Sequence, residues 1–173
     1  GPAGAGGFDI GQETVMFRHE EKFHHQPAIA VRVPATLSDD EALARIEQIN
    51  QAQFVRVGQA LGVKAAAVDV EGLAADKAAA RVKALAAKSC VPFIVMTKDA
   101  ATMAAAVGAI ADKRPLIYKA AAANAEAFIK IALEKKCPLA VGADTLEALA
   151  DLAKAAKDKG VAELVLAFNG RPT

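Results

Sequence analysis

Six short apolar runs recur along the chain with stretches of helical period between them, and this alternation restricts the fold more tightly than anything else in the sequence. The runs read "AIAVRV" (28–33), "AAAVDV" (65–70), "PFIVMT" (92–97), "PLIYKA" (115–120), "PLAVGA" (138–143) and "ELVLAF" (163–168). They are short, often β-branched, and bounded by Gly, Pro or Lys-rich turns, which suits strands buried on both faces of a parallel sheet. Their starts lie 37, 27, 23, 23 and 25 residues apart. One strand, one crossover helix and two short loops need roughly 25 residues. The class is therefore α/β.

The intervening stretches carry helix signals. Ser38 and Glu41 in "SDDE" make a capping box, and Asp144 and Glu147 in "DTLE" repeat the device before "ALADLAKAAKDKG". Lys154, Lys157 and Lys159 near the end of that helix complement its dipole, and Gly160 suits the left-handed residue beyond it. Asn124 is placed to cap "AEAFIKIALEKK", and Asp99 is most simply an N-cap. In the first helix Leu43, Ile46, Ile49, Phe54, Val57 and Leu61 recur at steps of three to five, which predicts one long helix with a bend near Asn50 and Gln51.

Such alternation gives a doubly wound open sheet or a (β/α)8 barrel. A dinucleotide fingerprint would follow the first strand, but "RVPATLSDD" stands there, without GxGxxG or GxxxxGK. Near-uniform spacing favours a TIM-type barrel, here incomplete with about six strands and open edges at the first and sixth. "ETVMFRHE", before residue 28, reads as a hairpin-like strand entering from an upstream domain. Residues 1–10, opening on "GPAGAGG", read as a flexible leader or cloning scar, and 11–173 as the barrel segment of a longer polypeptide.

Composition narrows the partners. Lys and Arg total 21 against 20 acids, and no basic stripe is interleaved with aromatics, so nucleic acid is not expected. No apolar run approaches the roughly 20 residues that span a bilayer, so no membrane segment is expected. Cys90 and Cys137, each just before a strand, read as two buried thiols in a reducing cytoplasm.

Reactive groups of a barrel sit at the C-terminal strand ends and in the loops beyond. Those positions hold Arg32, Asp69, Glu71, Thr97, Lys98, Asp99, Lys119, Asn124, Asp144 and Asn169. Asp69 with Glu71 has the makings of an acid/base pair, although carboxylates beginning a helix need no function. Lys119 at a strand end is chemically suited to a Schiff base if desolvated; a solvated lysine is the plainer reading. Ser89 lacks a GxSxG setting. Asp69, Thr97, Asn124 and Asn169 are the strand-end candidates for touching a cofactor. No catalytic residue and no metal ligand is expected.

All three histidines, His19, His24 and His25, fall within "FRHEEKFHHQP" (17–27), beside Glu20 and Glu21. A metal would need imidazoles on one face of a strand, hence at even spacing. Separations of five and one do not supply it.

The stretch "GQETVMFRHEEKFHHQPAIAVRVPATLSDDE" (11–41) resembles the large-subunit family of the corrinoid iron–sulfur protein, the gamma subunit of acetyl-CoA decarbonylase/synthase. Members carry a similar "GGETVLFRHEKTF" segment, an "AVRV"-type strand and an "LSD(D/E)E" helix start. The likeness continues through 48–63, 113–128, 135–141 and 149–161. It implies a four-cysteine [4Fe–4S] domain, a central (β/α)8 barrel and a C-terminal cobamide domain. It also implies methyl transfer on cobalt, from a methyltetrahydropterin or folate methyltransferase to acetyl-CoA synthase, with a small (delta) subunit as partner. No cysteine quartet and no cobamide-domain segment occurs in this sequence, and "LAFNGRPT" is less acidic than its counterparts. The resemblance thus implies a scaffold and docking module. A stand-alone barrel enzyme, either a pterin-binding methyltransferase or an aldolase-like lyase, is the alternative, and would gather Asp69, Asn124 and Asn169 around one pocket.

Overall fold

A computed structural model of the chain describes residues 8–10, 25 and 27–169. The element order is β1 (Ala30–Val33), α1 (Asp39–Gln51), β2 (Gln53–Arg56), β3 (Gln59–Gly62), β4 (Ala65–Asp69), α2 (Ala75–Lys88), β5 (Phe93–Met96), α3 (Ala100–Gly108), β6 (Leu116–Ala120), α4 (Ala125–Lys135), β7 (Leu139–Ala143), α5 (Leu146–Asp158) and β8 (Leu164–Phe168). All six apolar runs form strands. The strand expected over "ETVMFRHE", with His19 and His24, lies outside the described residues.

The six strands make one parallel sheet in the order β1-β4-β5-β6-β7-β8. That order follows the chain without reversal, so the described strands contain no switch point of the doubly wound kind. With right-handed crossovers, such an order keeps the helices on one face. Accordingly α2 packs between α1 and α3, and α3 also meets α4. Among the described residues, β1 and β8 each pair on one side alone.

Register shows where the core sits. Val33, Val68, Val95, Ile117, Leu139 and Leu164 align as one row across all six strands. The first five are buried, and the row packs with Ile46, Val82, Met103 and Phe128 from the helices. Burying each such side chain contributes about 1.5–3 kcal/mol. The alternate positions, including Arg32, Ala67, Asp69, Ile94, Met96, Ala140 and Gly142, belong to the opposite, helix-free face. In β6 the register shifts between Ile117 and Ala120. Ile117 aligns with Leu139 and Ala120 with Val141, so one extra residue sits between them, and Lys119 comes to lie over Gly142 on the helix-free face.

Three local expectations are corrected. The long first helix stops at Gln51, and residues 53–62 form an antiparallel hairpin with Phe54 opposite Leu61. The helical spacing of Phe54 and Val57 was coincidental: both are exposed in extended or turn backbone. The 37-residue interval between the first two runs is where the hairpin is accommodated. At α5 the cap is Thr145, whose side chain accepts from the Ala148 N–H, and Asp144 stands one residue outside it. Cys90 is exposed, while Cys137 is buried as expected. The Ser38–Glu41 box forms in full, Asp99 caps α3 through the Thr102 N–H, and Gly160 has φ +97°.

Candidate functional site

The C-terminal strand ends bring seven of the sequence candidates into one chain of contacts. Arg32 at the end of β1 pairs with Asp69 at the end of β4. The other oxygen of that carboxylate, Oδ1, accepts from the Glu71 N–H at 2.9 Å. Glu71 Oε2 accepts from the Thr97 hydroxyl at 2.9 Å and from the Lys98 N–H at 2.7 Å. Thr97 Oγ1 then accepts from the Asp99 N–H. Asn124 donates to the Lys98 carbonyl and accepts from the Ala121 N–H at 2.7 Å. Although Asn124 holds the N-cap position of α4, its carboxamide caps no helical N–H and instead closes the turn before the helix.

Charge and burial agree with this division of roles. Asp69 and Thr97 are buried, and each has its polar atoms met by neighbours, as buried polar groups require. The Thr102 N–H, followed by its hydroxyl, holds the Asp99 carboxyl below its ordinary value. Each loop is thus tied to the next through side chains from the strand ends. Asp69 and Glu71, read as an acid/base pair, both accept hydrogen bonds that fix loops in place.

Lys119 and Asn169 make a second, separate contact. Lys119 Nζ donates to Asn169 Oδ1, and it lies 5.6 Å from the centroid of the Tyr118 ring. Asn169 is placed by its N–H, which donates to the Ala143 carbonyl at 3.0 Å. Beside it an open cleft of about 710 Å³ is lined by residues including Gly142, Asp144, Thr145, Asp151 and Asn169. Asp69 and Asn124 do not line it, so the three-residue pocket of the enzyme alternative is not assembled there. Gly142 and Thr145 were not singled out from the sequence; a glycine inside the apolar run "PLAVGA" was the available signal for the first.

The family of the CO dehydrogenase/acetyl-CoA synthase delta subunit matches residues 4–172. The chain belongs to this family. Among curated relatives of this family member, the corrinoid/iron-sulfur protein large subunit of Moorella thermoacetica is 39% identical over 173 residues, covering 99% of this chain and 38% of that protein. The acetyl-CoA decarbonylase/synthase complex subunit gamma of Methanopyrus kandleri is 33% identical, covering 83% and 31%. The gamma subunit of Methanothermobacter thermautotrophicus is 28% identical, covering 91% and 34%. The chain therefore spans about a third of the length of these relatives.

The Moorella name states a corrinoid and an iron–sulfur group. A [4Fe–4S] cluster takes four thiolates, and this chain has two cysteines. Cys90 is exposed before β5, and Cys137 is buried before β7 with its thiol pKa pushed up by burial, which disfavours the thiolate a metal needs. Among the described residues no group of three or more His, Cys, Asp or Glu is placed to hold a metal. The chain's own residues do not fit the cluster. No described helix is long and apolar enough to cross a membrane.

Proposed function

We propose that the sheet is the front of a (β/α)8 barrel and that this segment is the scaffold and docking module of a corrinoid iron–sulfur methyl carrier. The carrier passes a cobalt-bound methyl group from a methyltetrahydropterin or folate methyltransferase to acetyl-CoA synthase in the cytoplasm. The cobamide and the cluster belong to other parts of the same subunit, and the small (delta) subunit docks against this barrel. The observation that carries the scaffold role is the strand-end rim: the Arg32–Asp69 pair, the Glu71 bonds to Thr97 and Lys98, and the Asn124 bond to Lys98 join one strand end or loop to the next, while Asp99 caps its own helix. The unreversed strand order with open edges at β1 and β8 supports the barrel.

The test is a titration with methyltetrahydrofolate alongside gel filtration with the small subunit. The scaffold reading expects no saturable micromolar binding of the pterin and co-elution with the small subunit. Saturable micromolar binding by this chain favours the pterin-binding enzyme instead, and clean separation from the small subunit sinks the docking role.

A further inference from the structure

The chain has three asparagines, and they differ in the residue that follows: Gln51 after Asn50, Ala125 after Asn124, and Gly170 after Asn169. The carboxamide carbon of an asparagine is an electrophile within reach of the next residue's backbone nitrogen. Attack closes a five-membered ring, and it needs that nitrogen unhindered and the carboxamide free to turn. Glycine, with no Cβ, crowds its own nitrogen least and restricts the backbone least.

Two of the three are held against this reaction. Asn50 lies in α1, where backbone nitrogens are committed to the helix's own hydrogen bonds. Its carboxamide is fixed on both sides, donating to the Lys88 carbonyl at 2.8 Å and accepting from the Cys90 N–H at 2.9 Å. The Asn124 carboxamide is fixed likewise between the Ala121 N–H and the Lys98 carbonyl. Asn169 stands exposed just past β8. Its Oδ1 accepts from Lys119 Nζ, a lysine that the bare Gly142 lets across β7. That ammonium sits on the oxygen that gains negative charge when the carboxamide carbon is attacked, an arrangement that lowers the barrier to addition.

We propose that Asn169–Gly170 is a site of spontaneous deamidation and that Lys119 promotes it. The Gly170 nitrogen bonds to Asn169 Cγ while the bond from Cγ to the side-chain nitrogen breaks. The Gly170 amide proton ends on the departing nitrogen by way of water, and ammonia leaves. Water then opens the succinimide. Addition at Cγ leaves aspartate, whose carboxylate turns the Lys119 contact into an ion pair beside the cleft. Addition at the main-chain carbonyl leaves isoaspartate, which lengthens the backbone directly after β8. The reaction takes in water and releases ammonia, with no oxidant or reductant.

The test ages the protein at neutral to mildly alkaline pH, digests it, and follows each asparagine peptide by mass, with isoaspartate counted by enzymatic methyl labelling. The Asn169 peptide should convert at least about tenfold faster than those of Asn50 and Asn124. Lys119→Met, which keeps an apolar stem over Gly142, should slow that conversion by about threefold or more in the folded protein and not at all in urea. Gly142→Ala, which displaces the same lysine, should slow it in the same way. Comparable rates at all three asparagines overturn the site. If both variants convert as fast as the unmodified protein, or if the slowing persists in urea, the part assigned to Lys119 is overturned.

Discussion

Lys119 crosses the surface of β7 where Gly142 has no side chain: a Cβ built on Gly142 would stand 2.7 Å from Lys119 Cδ and 3.3 Å from the Ala167 carbonyl oxygen. The glycine thereby lets a lysine from β6 reach Asn169 beyond β8. Gly142→Ala should displace the lysine end rather than the sheet, because the stem is flexible. Crowding at the Ala167 carbonyl is partly offset by the lower entropy of the unfolded chain, so stability should change by no more than about 1 kcal/mol. The Lys119–Asn169 contact should be lost. Labelling with an amine-reactive reagent, read by peptide mass, should show faster modification of Lys119 in the variant; equal rates would refute the arrangement.

The Arg32–Asp69 pair is asymmetric. The arginine side chain is 62% exposed and the aspartate 9%. Arg32→Ala gives up a mostly solvated charge and should cost about 0–1 kcal/mol. Asp69→Ala also strips the Glu71 N–H of its acceptor and opens a hole at a buried position, and should cost about 1–3 kcal/mol. Urea unfolding of both variants decides the matter, and equal losses would mean that the ion pair, not the loop tie, holds the strand end.

Much of this architecture was legible in the residues. The six buried strands announced themselves because a strand covered on both faces is a continuous apolar run, and the Ser38–Glu41 box because its two residues do nothing else at that spacing. The hairpin was not legible: Phe54, Val57 and Leu61 continue the period of Leu43, Ile46 and Ile49, and burial, not spacing, separates the two cases. Asp144 and Thr145 are both competent caps, and backbone placement chose the threonine. The reach of Lys119 depends on the register shift in β6, which leaves no mark in composition or period.

Acid should weaken the first and third helices in the same sense. The Ser38 N–H, then its hydroxyl, lower the Glu41 pKa from its ordinary 4.5, and Thr102 does the same for Asp99 from 3.8. A carboxyl with a folded pKa below its unfolded value binds fewer protons when folded. Its contribution is therefore fully present above the unfolded value and is lost as pH falls through the folded one. Ser38→Ala should cost about 1 kcal/mol at neutral pH. Its deficit relative to the unmodified chain should shrink as pH falls below about 4.5. A deficit independent of pH in thermal scans would place the cost in the bond the Ser38 hydroxyl accepts from the Glu41 N–H, not in the one it donates to the Glu41 carboxylate.

Leu166 offers a direct test of barrel closure. It aligns with Val141, on the side of the sheet that the helices cover, yet it is 60% exposed where Val141 is 1% exposed. Phe168, aligned with Ala143, is 48% exposed on the same side. An edge strand with large apolar groups facing its helix layer wants a further helix over it and a further strand beside it. In the 173-residue chain Leu166→Ala should change stability by no more than about 0.5 kcal/mol, as for other surface sites. In a longer polypeptide whose further strand and helix cover β8, the same substitution should cost about 2–5 kcal/mol, the loss typical of a core leucine. Equal, small effects in both settings would show that β8 remains an edge and that the sheet does not close.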